Sequence, residues 1–133
     1  MLDVRWKQRF QNFEKALQLL TEAMQIASPD TTQKAGLIQF FEMSFELAWK
    51  TLKDYLEEQG FEAIHSPRGV IKKAFEIELL QDGKLWLELL SDRNVTAHVY
   101  DEAMINNVEG LIHEKYFPLL KSLHKTLKEK SNG

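Results

Sequence analysis

Twelve residues from Ser91 to Glu102, SDRNVTAHVYDE, gather groups that composition alone does not account for: a guanidinium at Arg93, an amide at Asn94, an imidazole at His98 and a phenol at Tyr100. A fixed cation, a group that titrates near neutral pH and a phenolic hydroxyl are what a site needs to meet a phosphate. With Val95 and Thr96 weaker helix formers than the leucines before them, the helix carrying the run is expected to end near Ala97. Residues on a helix turn by about 100° each, so Asn94 and His98 share one face, while Arg93, Ala97 and Tyr100 share the neighbouring one. Arg93 and His98 fall about 140° apart on that geometry. A joint site therefore requires the helix to stop there or a second copy of the chain to complete it.

Each residue also has a purely structural use. Arg93 suits the last turn of a helix through the dipole, and Asn94 and His98 suit local hydrogen bonding at a helix end. Asp101 reads as the N-cap of the next helix, with Tyr100 placed to pack on Ile105 as a hydrophobic staple. Glu42 and Glu46 lie one turn apart on an otherwise apolar helix, on a stripe with Trp49 and Lys53. Glu46 with Lys50 makes an ordinary i,i+4 ion pair, the simpler expectation. The alternative is that Glu46 holds the Arg93 guanidinium.

The elements that must position these groups follow from the apolar periodicity. Trp6, Phe10, Phe13, Leu17, Leu20 and Met24 form the buried stripe of a first helix over about 3–27. Asp30 and Gln33 form a capping box for a second helix to about Gln59, closed by Gly60, and its broad face (Leu37, Phe41, Phe45, Ala48, Leu52, Tyr55) marks it as central. Ser66 and Pro67 open a shorter helix to about Leu80, with Val70, Ile71, Ala74, Phe75 and Ile77 inside. Arg68, Lys72 and Lys73 make it the most basic part of the region, which a solvated face explains without a ligand. A fourth helix begins near Lys84, with Leu85, Trp86, Leu89 and Leu90 as anchors, and ends in the SDRNVTAHVYDE run. A last helix from Asp101 to about Glu129 uses Met104, Val108, Leu111, Ile112, Phe117, Leu120, Leu123 and Leu127, and Pro118 should kink it. The expected architecture is all-α, one domain over 1–133: an antiparallel four-helix up-and-down bundle with an additional short helix.

Bulk properties bound the function. The chain has 133 residues, a formal charge of −3 and no cysteine, with an isoelectric point near 5.8. No general basic field draws nucleic acid, although a local contact to nucleotide or RNA stays open. The lack of cysteine fits a reducing cytoplasm, and no apolar run is long enough for a membrane span. The four histidines, at 65, 98, 113 and 124, lack ligand-like spacing, so no metal and no cofactor are expected. The chain also lacks the Gly-Ser turn and the Asp-x-Asp pair with which a minimal nucleotidyltransferase binds phosphates and two magnesium ions, and it has no P-loop or dinucleotide fingerprint.

Arg93, Asn94, His98 and Tyr100 match the R-N-x-x-x-H-x-Y signature of HEPN-like helical proteins. More closely, the chain resembles the branch of nucleotidyltransferase substrate-binding proteins, through LIQFFEMSFELAWKTLKDYLEEQG (37–60), SPRGVIKKAF (66–75) and DGKLWLELLSDRNVTAHVYDE (82–102) in the same order. The resemblance implies a cytoplasmic, non-catalytic substrate-binding or target subunit that pairs with a separately encoded minimal nucleotidyltransferase. It also implies that Tyr100 can accept AMP, as in related toxin and antitoxin systems. The alternative is a metal-independent HEPN ribonuclease, with His98 as general acid or base, Arg93 stabilising charge on the phosphorus and Asn94 orienting a partner group. Both readings imply a homodimer.

Overall fold

A computed structural model describes residues 2–97 and 99–132, with the backbone alone for 2, 3 and 94–97. Six α-helices follow in order: α1 (Leu2–Met24), α2 (Thr31–Glu58), α3 (Pro67–Glu76), α4 (Gly83–Ala97), α5 (Glu102–Leu111) and α6 (Phe117–Asn132). A π-helical turn, Ile112–Tyr116, joins the last two into one continuous rod. The described residues thus form an all-α bundle of four long rods and the short α3. None of their helices is long and apolar enough to cross a membrane.

Local chemistry sets the boundaries. The Asp30 side chain accepts from the Gln33 backbone N–H while the Gln33 side chain accepts from that of Asp30, the reciprocal box that starts α2. Ser66 accepts from the Gly69 N–H, and Pro67 stands at the first helical position of α3, where its missing donor costs nothing. At the far end of α2, Gly60 takes φ 98°. There Phe61 N–H donates to Leu56 O and Gly60 N–H to Glu57 O, closing the helix as a Schellman motif.

The end of α3 departs from expectation. The helix stops at Glu76 rather than near Leu80, because Glu78 adopts φ 67° and the same pair of bonds closes it, Leu79 N–H to Ala74 O and Glu78 N–H to Phe75 O. A glutamate thus holds a place that favours glycine. Glu78→Gly should raise stability by about 0.5 kcal/mol, a released strain of about 1–2 kcal/mol being partly offset by the added freedom of the unfolded glycine. A urea midpoint that moved down instead would show the turn to be unstrained. The early stop also corrects Phe75, which is not an inner residue but half exposed, its ring lying against Gly83.

The core runs through every rod. Trp6, Phe10, Phe13, Leu17 and Leu20 of α1 meet Leu37, Phe41, Phe45, Ala48, Leu52 and Leu56 of α2, which touches each of the other helices. Trp86 and Leu89 enter from α4, and Val108, Ile112, Tyr116, Leu120, Leu123 and Leu127 from the last rod. Polar ties lie at the edge of this core. Arg9 donates to the nearly buried Asp54 at 3.0 Å, fastening α1 to α2. Glu14 meets His124 at 2.8 Å across α1 and α6, and that hydrogen bond, opposed by partial burial, holds the Glu14 carboxyl below the ordinary glutamate range.

Pro118 follows an irregular turn of the last rod. The irregularity lies in the turn before it, where Phe117 N–H reaches back five residues to Ile112 O. Widening the helix ahead of the proline accommodates a residue that has no donor of its own. The widened turn also changes which aromatic faces inward: Tyr116 is fully buried, whereas Phe117, expected in the core, is only partly so. Three successive four-residue steps, Val108 to Ile112 to Tyr116 to Leu120, would drift round a regular helix by about 40° each. The wide turn keeps them on one side.

Candidate functional site

The site is assembled at the last turns of α4, where that helix crosses the middle of α2. The Arg93 side chain is 28% exposed and is received by two carboxylates one turn apart. Its Nη2 donates to Glu46 Oε1, and its Nε lies 3.6 Å from Glu42 Oε2. Beneath it, the guanidinium carbon stands 5.0 Å from the centre of the fully buried Phe45 ring. Two anions above an aromatic face make a strong seat for a planar cation. Glu46 serves three donors at once, since its Oε2 also accepts from Trp49 Nε1 at 3.2 Å and pairs with Lys50 at 3.5 Å. Both uses weighed for Glu46 from the sequence are therefore present together.

Asp92, immediately before Arg93, is held from another direction. The Tyr116 hydroxyl, brought inward by the π-helical turn, donates to Asp92 Oδ2 at 2.5 Å. The Tyr116 ring stacks on Phe41 with centroids 5.6 Å apart. Burial, reinforced by the acceptance of its proton by Asp92, pushes the phenol well above the ordinary tyrosine range, so it stays a donor. The sequence reading singled out neither residue. The available signal was Pro118, whose demand for an irregular turn shifts the inward position from Phe117 to Tyr116.

Of the other expected site residues, Tyr100 is 83% exposed, the highest value among the exposed large hydrophobic side chains of the described residues. It does not staple the start of α5. Asp101 caps that helix by accepting from Met104 N–H, and the neighbouring Val99 packs against the core in its place. The α4 helix ends at Ala97. Asn94 lies in its final turn with its side chain outside the described residues, and His98 lies outside them altogether. Arg93 and Glu46 are thus in contact, and Tyr100 stands seven residues beyond on the connection to α5. Among the described residues, no group of three or more His, Asp or Glu side chains is placed to hold a metal ion.

Comparison with known proteins gives the same outline. The family model described as "Nucleotidyltransferase substrate binding protein like" matches residues 8–129. A Haemophilus influenzae protein described as "Probable ribonuclease HepT" is 27% identical over 104 residues, covering 72% of this chain and 71% of the relative. A crystal structure of a Thermus thermophilus protein superposes with a TM-score of 0.74 at 34% identity, covering 84% of this chain and 94% of the other.

Proposed function

The chain belongs to the nucleotidyltransferase substrate binding protein like family, and from that premise we propose that it is the non-catalytic substrate-binding or target subunit of a cytoplasmic two-component nucleotidyltransferase. The observation that carries this reading is the exposure of Tyr100. A phenol that is 83% exposed, placed beside a capped helix start, is presented to an incoming catalytic subunit.

The partner supplies the phosphate-binding turn and the metal ions that this sequence lacks. In the transfer, the Tyr100 oxygen attacks the α-phosphorus of a nucleoside triphosphate. A bond from phenolic oxygen to phosphorus forms, the bond to the β-phosphate oxygen breaks, pyrophosphate leaves, and the phenolic proton passes to the partner's base or to water. Asn94 and His98, the other members of the signature, are the residues expected to meet the substrate. Arg93 sits at its margin, with Glu42 and Glu46 countering its charge until a phosphate displaces them. A homodimer that joins two helix ends would complete the surface, the same patch serving both chains.

The second reading, a metal-independent ribonuclease, is favoured by the likeness to the Haemophilus influenzae protein described as a probable ribonuclease. His98 would take the proton of a ribose 2′-hydroxyl as that oxygen attacks phosphorus and the 5′-oxygen leaves, with Arg93 countering the charge. The seat of Arg93 on two carboxylates bears on both readings alike, since a phosphate must displace them in either.

Weighing the intact chain after co-expression with a candidate partner tests the proposal. The expected result is a gain of one nucleoside monophosphate residue that disappears in Tyr100→Phe. An unchanged wild-type mass, or a gain that persists in Tyr100→Phe, would remove Tyr100 as the acceptor. Metal-free cleavage of labelled RNA that is lost in His98→Ala would establish the second reading instead.

A further inference from the structure

We infer that Tyr116 and Asp92 are positioning residues for the signature, their partly buried hydrogen bond fixing the rotation of the last turns of α4 and hence the presentation of the chain that leads to Tyr100. The inference rests on the proposed role of Tyr100. It assigns a function to a contact made more than twenty residues along the chain, on another rod.

The geometry supplies the reason. Arg93 is anchored to α2 through Glu42, Glu46 and the face of Phe45, while Asp92 is anchored to the last rod through Tyr116. Adjacent residues on a helix point about 100° apart. One anchor alone would let α4 roll about the contact, whereas two in different directions, at consecutive positions, define its azimuth. The turn from Asn94 to Ala97 follows directly.

The anchor on the last rod is itself rigid. Tyr116 is 1% exposed, its ring stacks on Phe41, and Phe41 lies 6.4 Å from Phe45, the ring under Arg93. The two anchors therefore share one aromatic foundation in α2. The π-helical turn delivers the hydroxyl, because its winding brings Tyr116 rather than Phe117 inward. A phenylalanine at 116 and an apolar residue at 92 would fill the same space without pairing a buried phenol with a carboxylate. Packing alone thus does not call for the polar pair.

Tyr116→Phe keeps the ring and its stack and removes only the donor. In the full chain, amide hydrogen exchange over 90–97 is expected to quicken at least tenfold, while α1 and the buried half of α2 change by less than threefold. The rate at which the partner modifies Tyr100 should fall at least tenfold at saturating nucleotide. Asp92→Asn retains an acceptor for the hydroxyl and should stay within threefold of wild type in both measurements, whereas Asp92→Ala should match Tyr116→Phe. Unchanged exchange over 90–97, equal loosening of all helices, or wild-type modification despite local loosening would each overturn the inference. A wild-type chain that is never modified would overturn the proposed function instead, and the exchange comparison would still decide whether the anchor exists.

Discussion

Arg9→Met is expected to destabilise the chain by about 3 kcal/mol at neutral pH, a large share of the roughly 5–15 kcal/mol that holds a domain of this size together. Methionine keeps an unbranched stem against the core and removes the charge. What it leaves behind is Asp54, 4% exposed on α2, without the guanidinium 3.0 Å away. A buried carboxylate stripped of its partner bears its desolvation uncompensated, which places the cost near 3–5 kcal/mol. The lower end applies because the Arg9 side chain is itself 35% exposed and the pair is partly screened. Asp54→Asn should cost less than half as much, since the arginine can then turn to water. A urea titration reads both from the shift in midpoint at constant slope. Equal losses from the two variants would show that the carboxylate is not the vulnerable partner.

Phe45→Ala is expected to cost about 3–5 kcal/mol, the range for emptying an aromatic site in a closed core. The ring is fully buried, within 6.4 Å of both Phe41 and Trp86, so there is little room for the walls to collapse inward. Phe45→Leu separates this loss from the ring's second duty. Leucine restores most of the volume at about 1–1.5 kcal/mol but offers no aromatic face to Arg93, forfeiting about 0.5–1 kcal/mol of cation attraction. Thermal unfolding should therefore rank wild type above Phe45→Leu and Phe45→Leu well above Phe45→Ala. A leucine variant as unstable as the alanine variant would mean that shape, rather than volume, governs this part of the core.

Much of the fold could be read in advance because its boundaries are local events. Asp30 with Gln33, Ser66 with Pro67, Gly60 and Asp101 each satisfy or release a backbone group within four residues, and each marks a helix end where the structure has one. The end of α3 escaped this reading because the residue in the left-handed conformation is a glutamate, which carries none of glycine's signal. Tyr116 escaped it because a wide turn changes the period on which the apolar stripe was counted.

In the candidate site, the contact of Arg93 with Glu46 could be offered from the sequence only as an alternative, and that of Tyr116 with Asp92 not at all. Arg93 and Glu46 are 47 residues apart, and Tyr116 and Asp92 are 24 apart. Which carboxylate meets which donor depends on how two rods are rotated against each other. Periodicity gives the face of each helix but not that mutual rotation. Tyr100 shows the opposite error, because a staple inferred from spacing ignored Val99, the neighbour that takes the inward place.

Glu46 leaves an optical trace of its own. One carboxylate receives both the arginine and the Trp49 indole N–H, while the other two tryptophans, Trp6 and Trp86, are sealed in the interior. Drawing the guanidinium away toward a phosphate redistributes charge beside a single chromophore, so the molecule's intrinsic emission carries a built-in gauge of whether Arg93 is docked or recruited.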